Sequence, residues 1–382
     1  MTDIDHPRNH PTPIHRRIAQ RLAAAIEAGD YAPGSRLPSE ATLVREFGVS
    51  RGTLRHALST LRAAGLIEAV PTRGTFVRSA TPATSSERRR TIGVVVPSVA
   101  RPYVPDLLVA IEDELHARGY SMVVGSSGST PQQQAGRIRR ILDDGVAGLI
   151  AYPIDYEPDP ELYESLVARH FPVVLVDRHL VGHDLDAVVA ENVGGAHAVV
   201  SHLVGEGFRR IAFVSTDNVT TTSVAERLQG YEHALTAAGI PLDRRLVFTD
   251  IPVVANWGTD YREASRMNAA RIAAFLERTQ PDAVFALHDH LALEVVVAAR
   301  SLGRQVPEEL GVAGFDDDPL LGELALPLTT VAQPRERIGR EAAAIVVDRI
   351  EGRRSAPARI VLPTRLVVRA STLRASVAAA SA

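Results

Sequence analysis

From Ile92 to about residue 370 the chain alternates short apolar runs with longer amphipathic stretches, a pattern that builds parallel sheets covered by helices. The run 92–96 is wholly apolar but for one glycine, as a strand buried on both faces requires. Further strands are expected over 121–124, 148–152, 173–176, 210–214, 246–248, 283–286 and 311–314. Helices are expected over 106–118, 132–143, 161–169, 195–206, 224–238, 262–278, 292–302 and 335–351. So long an alternation exceeds one comfortable core, so two lobes are the natural solution. The fold class is therefore α/β, with two doubly wound parallel sheets.

The first ninety residues read differently. Ile14, Ile18, Leu22 and Ile26 recur at helical spacing, and Gly29 stops that helix. Ser39 is placed to cap a second helix whose buried face is Leu43, Val44 and Phe47. Gly48 makes a turn, and Ser50 caps a third helix carrying Leu54, Leu58 and Leu61. Two short extended runs, 66–70 and 75–78, flank Pro71-Thr72-Arg73-Gly74 and read as a hairpin. Three helices and a hairpin make a winged helix-turn-helix. The stretch 79–91 is a linker rich in Ser, Thr, Pro and Ala. The expected division is a disordered tail over 1–12, the winged helix-turn-helix over 13–78, the linker over 79–91, the two-lobed domain over 92–370 and a tail over 371–382.

Composition narrows the chemistry. The chain has no cysteine and no lysine, and all 42 basic residues are arginine. Thiolate nucleophiles, Schiff-base lysines and the lysine of a Walker A loop are thereby excluded. Net charge is −3, but residues 1–90 carry +6 and the remainder −9. Only the first part suits a polyanion. The N-terminus lacks the apolar stretch of a secretory signal and no run is long enough to span a bilayer, so a cytoplasmic location without membrane contact is expected.

Two short helices joined by a tight turn place the second in the DNA major groove. On that helix Arg51, Arg55 and Arg62 fall within a sector of roughly 40°, beside the leucine stripe. Arginine reads guanine with two hydrogen bonds and also neutralises phosphate. Ser50, Gly52 and Thr53 stand at the helix start, where hydroxyls and N–H groups suit phosphate oxygens. Arg73 and Gly74 at the hairpin tip suit the minor groove, where a glycine permits close approach. Ser50 and Thr53 are equally well explained as cap residues.

These segments resemble the GntR family of regulators: Leu37-Pro38-Ser39-Glu40, Phe47-Gly48-Val49-Ser50-Arg51-Gly52-Thr53-Leu54-Arg55, Leu61-Arg62-Ala63-Ala64-Gly65-Leu66-Ile67 and Arg73-Gly74-Thr75-Phe76-Val77. The resemblance covers about residues 13–78. It implies that Arg51, Thr53 and Arg55 are the main DNA contacts, supported by Ser39, Ser50 and Gly74. Ala41 departs from the family, where an arginine is common.

In an open α/β sheet, ligands bind beyond the carboxyl ends of the strands. The candidates there are Ser98, Arg101 and Tyr103, Asp155, Asp177 and Arg178, Asp217 and Asn218, Arg227, Trp257, His288 and Asp289, and Asp316-Asp317-Asp318. A polyol needs an Arg–Asp pair for vicinal hydroxyls and an aromatic for its apolar ring face, and Trp257 is the only tryptophan. Aspartates after strands also serve simply as helix caps. His288-Asp289-His290 invites a metal reading, but i and i+2 do not share a helix face; no metal and no cofactor is expected.

Residues 91–369 resemble the LacI/GalR effector domain, itself similar to periplasmic sugar-binding proteins. The matching segments include Ile92-Gly93-Val94-Val95-Val96-Pro97, Val173-Val174-Leu175-Val176-Asp177-Arg178, Gly207-Phe208-Arg209-Arg210-Ile211, Arg227 with Gly230-Tyr231, and Gly314-Phe315-Asp316-Asp317. The resemblance implies a periplasmic binding protein-like fold in which Arg227 and Asp316 hold ligand hydroxyls and Trp257 stacks. The full expected effector set is Ser98, Tyr103, Asp155, Arg227, Trp257, His288 and Asp316, with His288 standing where the family usually has Asn. The two-part arrangement is similar to arabinose-repressor-like architecture. It implies a homodimeric repressor whose partners are double-stranded operator DNA and a small-molecule effector, expected to be a sugar. A transport-type sugar-binding protein and a hydrolase are the other classes open to such a domain. The winged helix argues against the first, and no G-x-S-x-G elbow supports the second.

Overall fold

Strand order fixes where a ligand can sit, and two parallel sheets set it here. The computed structural model describes residues 14–27, 30–32, 34–63, 66–70, 74–77, 90–99, 103–128, 130–154, 159–253, 261–319 and 326–374. The chain divides into two compact units, Met1–Glu87 and Arg88–Ala382.

In the first unit, helices α1 (Ile14–Glu27), α2 (Glu40–Phe47) and α3 (Arg51–Ala63) precede strands β1 (Ile67–Val70) and β2 (Gly74–Val77). Ile18, Leu22, Leu43, Leu54, Leu58 and Leu61 form the core, each at most 5% exposed. Ile14, read as part of the α1 stripe, is 60% exposed, because α3 covers only the face centred on Ile18 and Leu22. Gly48 ends α2 in the left-handed region at φ +63°, where its N–H reaches Val44 O. β1 and β2 pair antiparallel from Ile67↔Val77 to Val70↔Gly74. Residues 34–37 add an edge that the sequence did not suggest: Leu37 N donates to Thr75 O and Val77 N to Ser35 O.

The second unit contains a six-stranded sheet and a four-stranded one. The larger has the order β13-β7-β6-β5-β3-β4, all parallel: Arg359–Leu362, Asp186–Ala190, Val173–Val176, Gly148–Ala151, Thr91–Val96 and Ser121–Ser126. Helices α4 (Tyr103–Ala117), α5 (Pro131–Asp143), α6 (Pro160–Ala168) and α11 (Arg335–Ile350) cover its faces. The smaller sheet, β11-β10-β8-β9, comprises Gly311–Ala313, Ala283–Ala286, Ile211–Thr216 and Val247–Ile251, again all parallel. It packs with α7 (Asn192–Gly205), α8 (Thr222–Ala237), α9 (Tyr261–Thr279) and α10 (Asp289–Ser301). An antiparallel pair, β12 (Thr330–Ala332) and β14 (Arg365–Val367), joins strands where the chain passes between lobes.

The sequence reading missed four strands: β7, β12, β13 and β14. It also ended the domain too early. Ser371 and Thr372, assigned to the tail, are fully buried, and the Ser371 hydroxyl donates to Val312 O. Among the described residues no helix is long and apolar enough to cross a membrane.

Candidate functional site

Strand order reverses at β3, between β4 and β5, and at β8, between β9 and β10. At such switch points the following loops diverge and leave a crevice. The segments after β3, β5, β8 and β10 accordingly line one open cleft between the two lobes of the second unit.

Arg227, on the first turns of α8, is 6% exposed. Its Nε donates to Asn192 Oδ1 at 3.0 Å and its Nη1 to Leu287 O at 2.7 Å. The guanidinium lies 3.7 Å over the Phe315 ring, and Nη2 is 3.6 Å from Asp316 Oδ1. Asp316 has φ +116°, a backbone region rarely open to a side-chain-bearing residue. Gln333 Nε2 donates to its Oδ1 at 2.6 Å, and Arg335 Nη2 donates to its carbonyl. Burial pushes the Asp316 carboxyl up, against the pull of Arg227 and Arg335.

The three consecutive aspartates have three separate partners. Asp316 faces Arg227, Asp317 accepts from Arg369 at 2.6 Å, and Asp318 meets His290 at 2.9 Å. A solvated turn is thereby excluded. Asp289, 2% exposed, accepts from Thr330 Oγ1 at 2.5 Å and from Asp318 N at 2.9 Å. Burial, then the Asp316 charge, pushes it up to about 8. His288 caps α10, its Nδ1 accepting from Leu291 N at 3.1 Å. The helix begins three residues before the sequence suggested, which makes His288 a cap at the cleft rather than a loop residue.

The opposite wall is aromatic. Tyr103 and Tyr152 meet edge to face at 6.1 Å. Arg178 lies 4.9 Å over Tyr152 and donates to Asp177 Oδ2 at 3.1 Å. Gln134 fixes the loop after β5 through Tyr152 O and Ile154 N. Among the described residues the buried Tyr103 hydroxyl has no hydrogen-bond partner.

Of the effector residues expected from sequence, Ser98, Tyr103, Arg227, His288 and Asp316 line this cleft. Asp155 and Trp257 lie outside the described residues. Asp177, Arg178 and Asn218 also line it. Tyr152, Asn268, Glu294 and Arg335 line it too and were missed. Arg335 opens a helix far along the chain from the strands it joins, so no local pattern marks it. Among the described residues no cluster of three or more His, Asp or Glu is placed to hold a metal ion.

In the first unit, Ser39 Oγ accepts from Thr42 N and Ser50 Oγ from Thr53 N, each at 3.2 Å. Both caps free the following helix to start sharply. Arg51, Gly52 and Arg55 are exposed on α3, while Leu54 and Leu58 on its other side are buried. Thr53 is half-buried, its hydroxyl 2.9 Å from that of Ser50. Gly74 takes φ +115°, and an added Cβ would stand 2.7 Å from Arg36 Nε. Arg73 lies outside the described residues.

Residues 14–77 match the family described as bacterial regulatory proteins, gntR family. Residues 200–372 match the periplasmic binding protein-like domain. The chain is similar to the HTH-type transcriptional regulator DegA of Bacillus subtilis (strain 168), at 30% identity over 76% of this chain and 83% of that one. It is also similar, at 26% identity, to the arabinose metabolism transcriptional repressor of Geobacillus stearothermophilus, over 94% of this chain and 98% of the relative. Among solved structures, a transcriptional regulator CelR–cellobiose complex is 28% identical, with TM-score 0.66, covering 88% of this chain and 100% of that one.

Proposed function

Because this chain belongs to the GntR/LacI-type transcriptional regulators, with a GntR helix-turn-helix joined to a periplasmic-binding-protein-like domain, we propose that it is a repressor released from or fixed to its operator by a sugar. The observation that carries this reading is the pairing of the buried Arg227 with the half-buried Asp316 at the mouth of the strands, the guanidinium seated on Phe315, in a cleft that Tyr103 and Tyr152 also line. A guanidinium and a carboxylate at 3.6 Å offer fixed donors and acceptors to neighbouring hydroxyls, each charged hydrogen bond contributing about 1.5–3 kcal/mol. Ser98, Tyr103, His288, Asp155 and Trp257 complete the proposed effector set.

Arg51 and Arg55 are the proposed base readers, with Ser39, Ser50, Gly52 and Thr53 on phosphate and Arg73 with Gly74 in the minor groove. A cytoplasmic homodimer presents two such helices to a twofold operator. The effector binds one arrangement of the lobes more tightly and so shifts the population. No step of this scheme needs an enzymatic reaction.

The test has two parts. A thermal-shift screen of mono- and disaccharides identifies a ligand by a rise in Tm. Duplexes selected from a random pool then report whether that ligand changes operator affinity. A sugar that raises Tm and alters duplex binding supports the reading; a protein that selects no duplex contradicts it.

A further inference from the structure

Resting on the sugar reading above, we propose that the effector carries an ammonium group, taken by Glu294 on the second-lobe wall of the cleft. Glu294 lines the cleft from α10 and is only 4% exposed. The Ser265 and Asn268 side chains of α9 hydrogen-bond to it, and Asn268 is itself 4% exposed and cleft-lining.

Three of the other acids around the cleft have a basic partner. Asp177 has Arg178, Asp316 has Arg227, and Asp318 has His290. Asp289, like Glu294, has no arginine beside it among the described residues, but both its carboxylate oxygens are taken up within the protein, Oδ1 by the Thr330 hydroxyl and Oδ2 by the Asp318 N–H. Among the described residues no arginine pairs with Glu294, and the His290 ring whose charge it feels is already bonded to Asp318. Burial accordingly raises Glu294 to about 7.

A carboxylate out of water without a counter-charge is costly, and a ligand supplying that charge recovers the cost on binding. An ammonium brings three N–H donors and a positive charge. A neutral hydroxyl donates once and leaves the charge in place. An anionic group placed beside Glu294 would meet a like charge there. A second, independent observation shows that the cleft has unmet polar capacity. The Tyr103 hydroxyl, on the opposite wall, belongs to a side chain 7% exposed and has no hydrogen-bond partner among the described residues. A ligand spanning the cleft bonds to Tyr103 at one side and Glu294 at the other, with its hydroxyls toward Arg227.

The probes are matched triplets of hexose, hexosamine and N-acetylhexosamine in the gluco, galacto and manno configurations. Calorimetric titration into the full-length protein at about pH 7 keeps the amine protonated. One hexosamine is expected to bind roughly tenfold or more tightly than both its neutral counterparts, as a charge-assisted bond replaces a neutral one. Glu294→Gln is expected to abolish that preference. The wild-type ranking decides the matter even if the variant does not fold. Neutral sugars binding as tightly as every amine, or a preference that survives Glu294→Gln, overturns the inference and leaves the sugar reading intact. Failure of every saccharide in the wider thermal screen overturns the sugar reading and this inference with it.

Discussion

Arg227 and Asp316 face each other at 3.6 Å while the guanidinium stacks 3.7 Å above Phe315, the residue next to Asp316 in the chain. One strand end thus supplies both the platform and the acid for an arginine that comes from another element. Asn192, which opens α7 where the chain enters the second lobe, holds that arginine at 3.0 Å. The same Asn192 donates to Glu226 Oε2 at 2.9 Å, and Glu226 Oε1 stands 3.9 Å from Arg359 on β13 of the first lobe. The proposed ligand contact is therefore tied to the chain crossing between lobes.

Arg227→Ala is expected to abolish the effector response and to leave duplex binding by the first unit within about twofold. It also removes the main counter-charge of Asp316, and because that carboxyl is a quarter exposed and keeps Gln333, the cost to the second unit is about 1–3 kcal/mol. Calorimetric titration with the effector and a denaturant melt check the two effects separately.

Arg51→Ala and Arg55→Ala are each expected to cost about 1–3 kcal/mol in specific duplex binding and to relax the preference at one base position. Both side chains are exposed, so the melting temperature stays unchanged. Fluorescence anisotropy on a selected duplex and on a scrambled one separates specific loss from a general phosphate effect.

Asp289 gives stability a pH dependence of definite sign. Its folded pKa is about 8, raised by burial and then by Asp316. The unfolded chain releases that proton near pH 4, so between about pH 4 and pH 8 the folded state holds one proton more. Stability therefore declines as pH rises through that window and levels off above it. Glu294, raised to about 7, acts in the same direction. Asp289→Asn is expected to flatten the slope between about pH 6.5 and about pH 8.5 in chemical denaturation. A wild type that gains stability over that range contradicts this account.

Gly230 allows α7 and α8 to touch. An added Cβ there would fall 2.2 Å from Val193 O and 2.7 Å from Ala196 Cβ, both on α7. Backbone cannot yield as a side-chain tip can. Gly230→Ala is expected to destabilise the second unit by about 1–3 kcal/mol or more, read as a lowered denaturation midpoint.

Much of this was legible in residue order. The apolar runs at 92–96, 173–176 and 283–286 lie in buried strands because parallel strands covered on both faces need continuous apolar sequence. Asp316 could be singled out because it stands just past a strand end, and Arg227 because its segment resembles the LacI/GalR effector domain. The strands Arg359–Leu362 and Arg365–Val367 were not legible. They carry arginine and exposed positions, and they pair with β7 and β12, which are themselves unmarked by a long apolar run. Asp186–Ala190 was hidden for another reason: its acid is paired in the fold, with Arg349 Nε donating to Asp186 Oδ2 at 2.6 Å. Glu294 sits among the apolar residues of α10, where a single acid reads as a solvated face. Only the packing of α9 beside it reveals that it is buried.

The most direct measurement is duplex affinity by fluorescence anisotropy, with and without the identified sugar, for the wild type and for Arg227→Ala. The sugar is expected to change wild-type affinity for the selected duplex at least about tenfold, a coupling within the usual range, and to leave Arg227→Ala unmoved. Equal affinity with and without sugar in the wild type, or an equal response in both proteins, contradicts it.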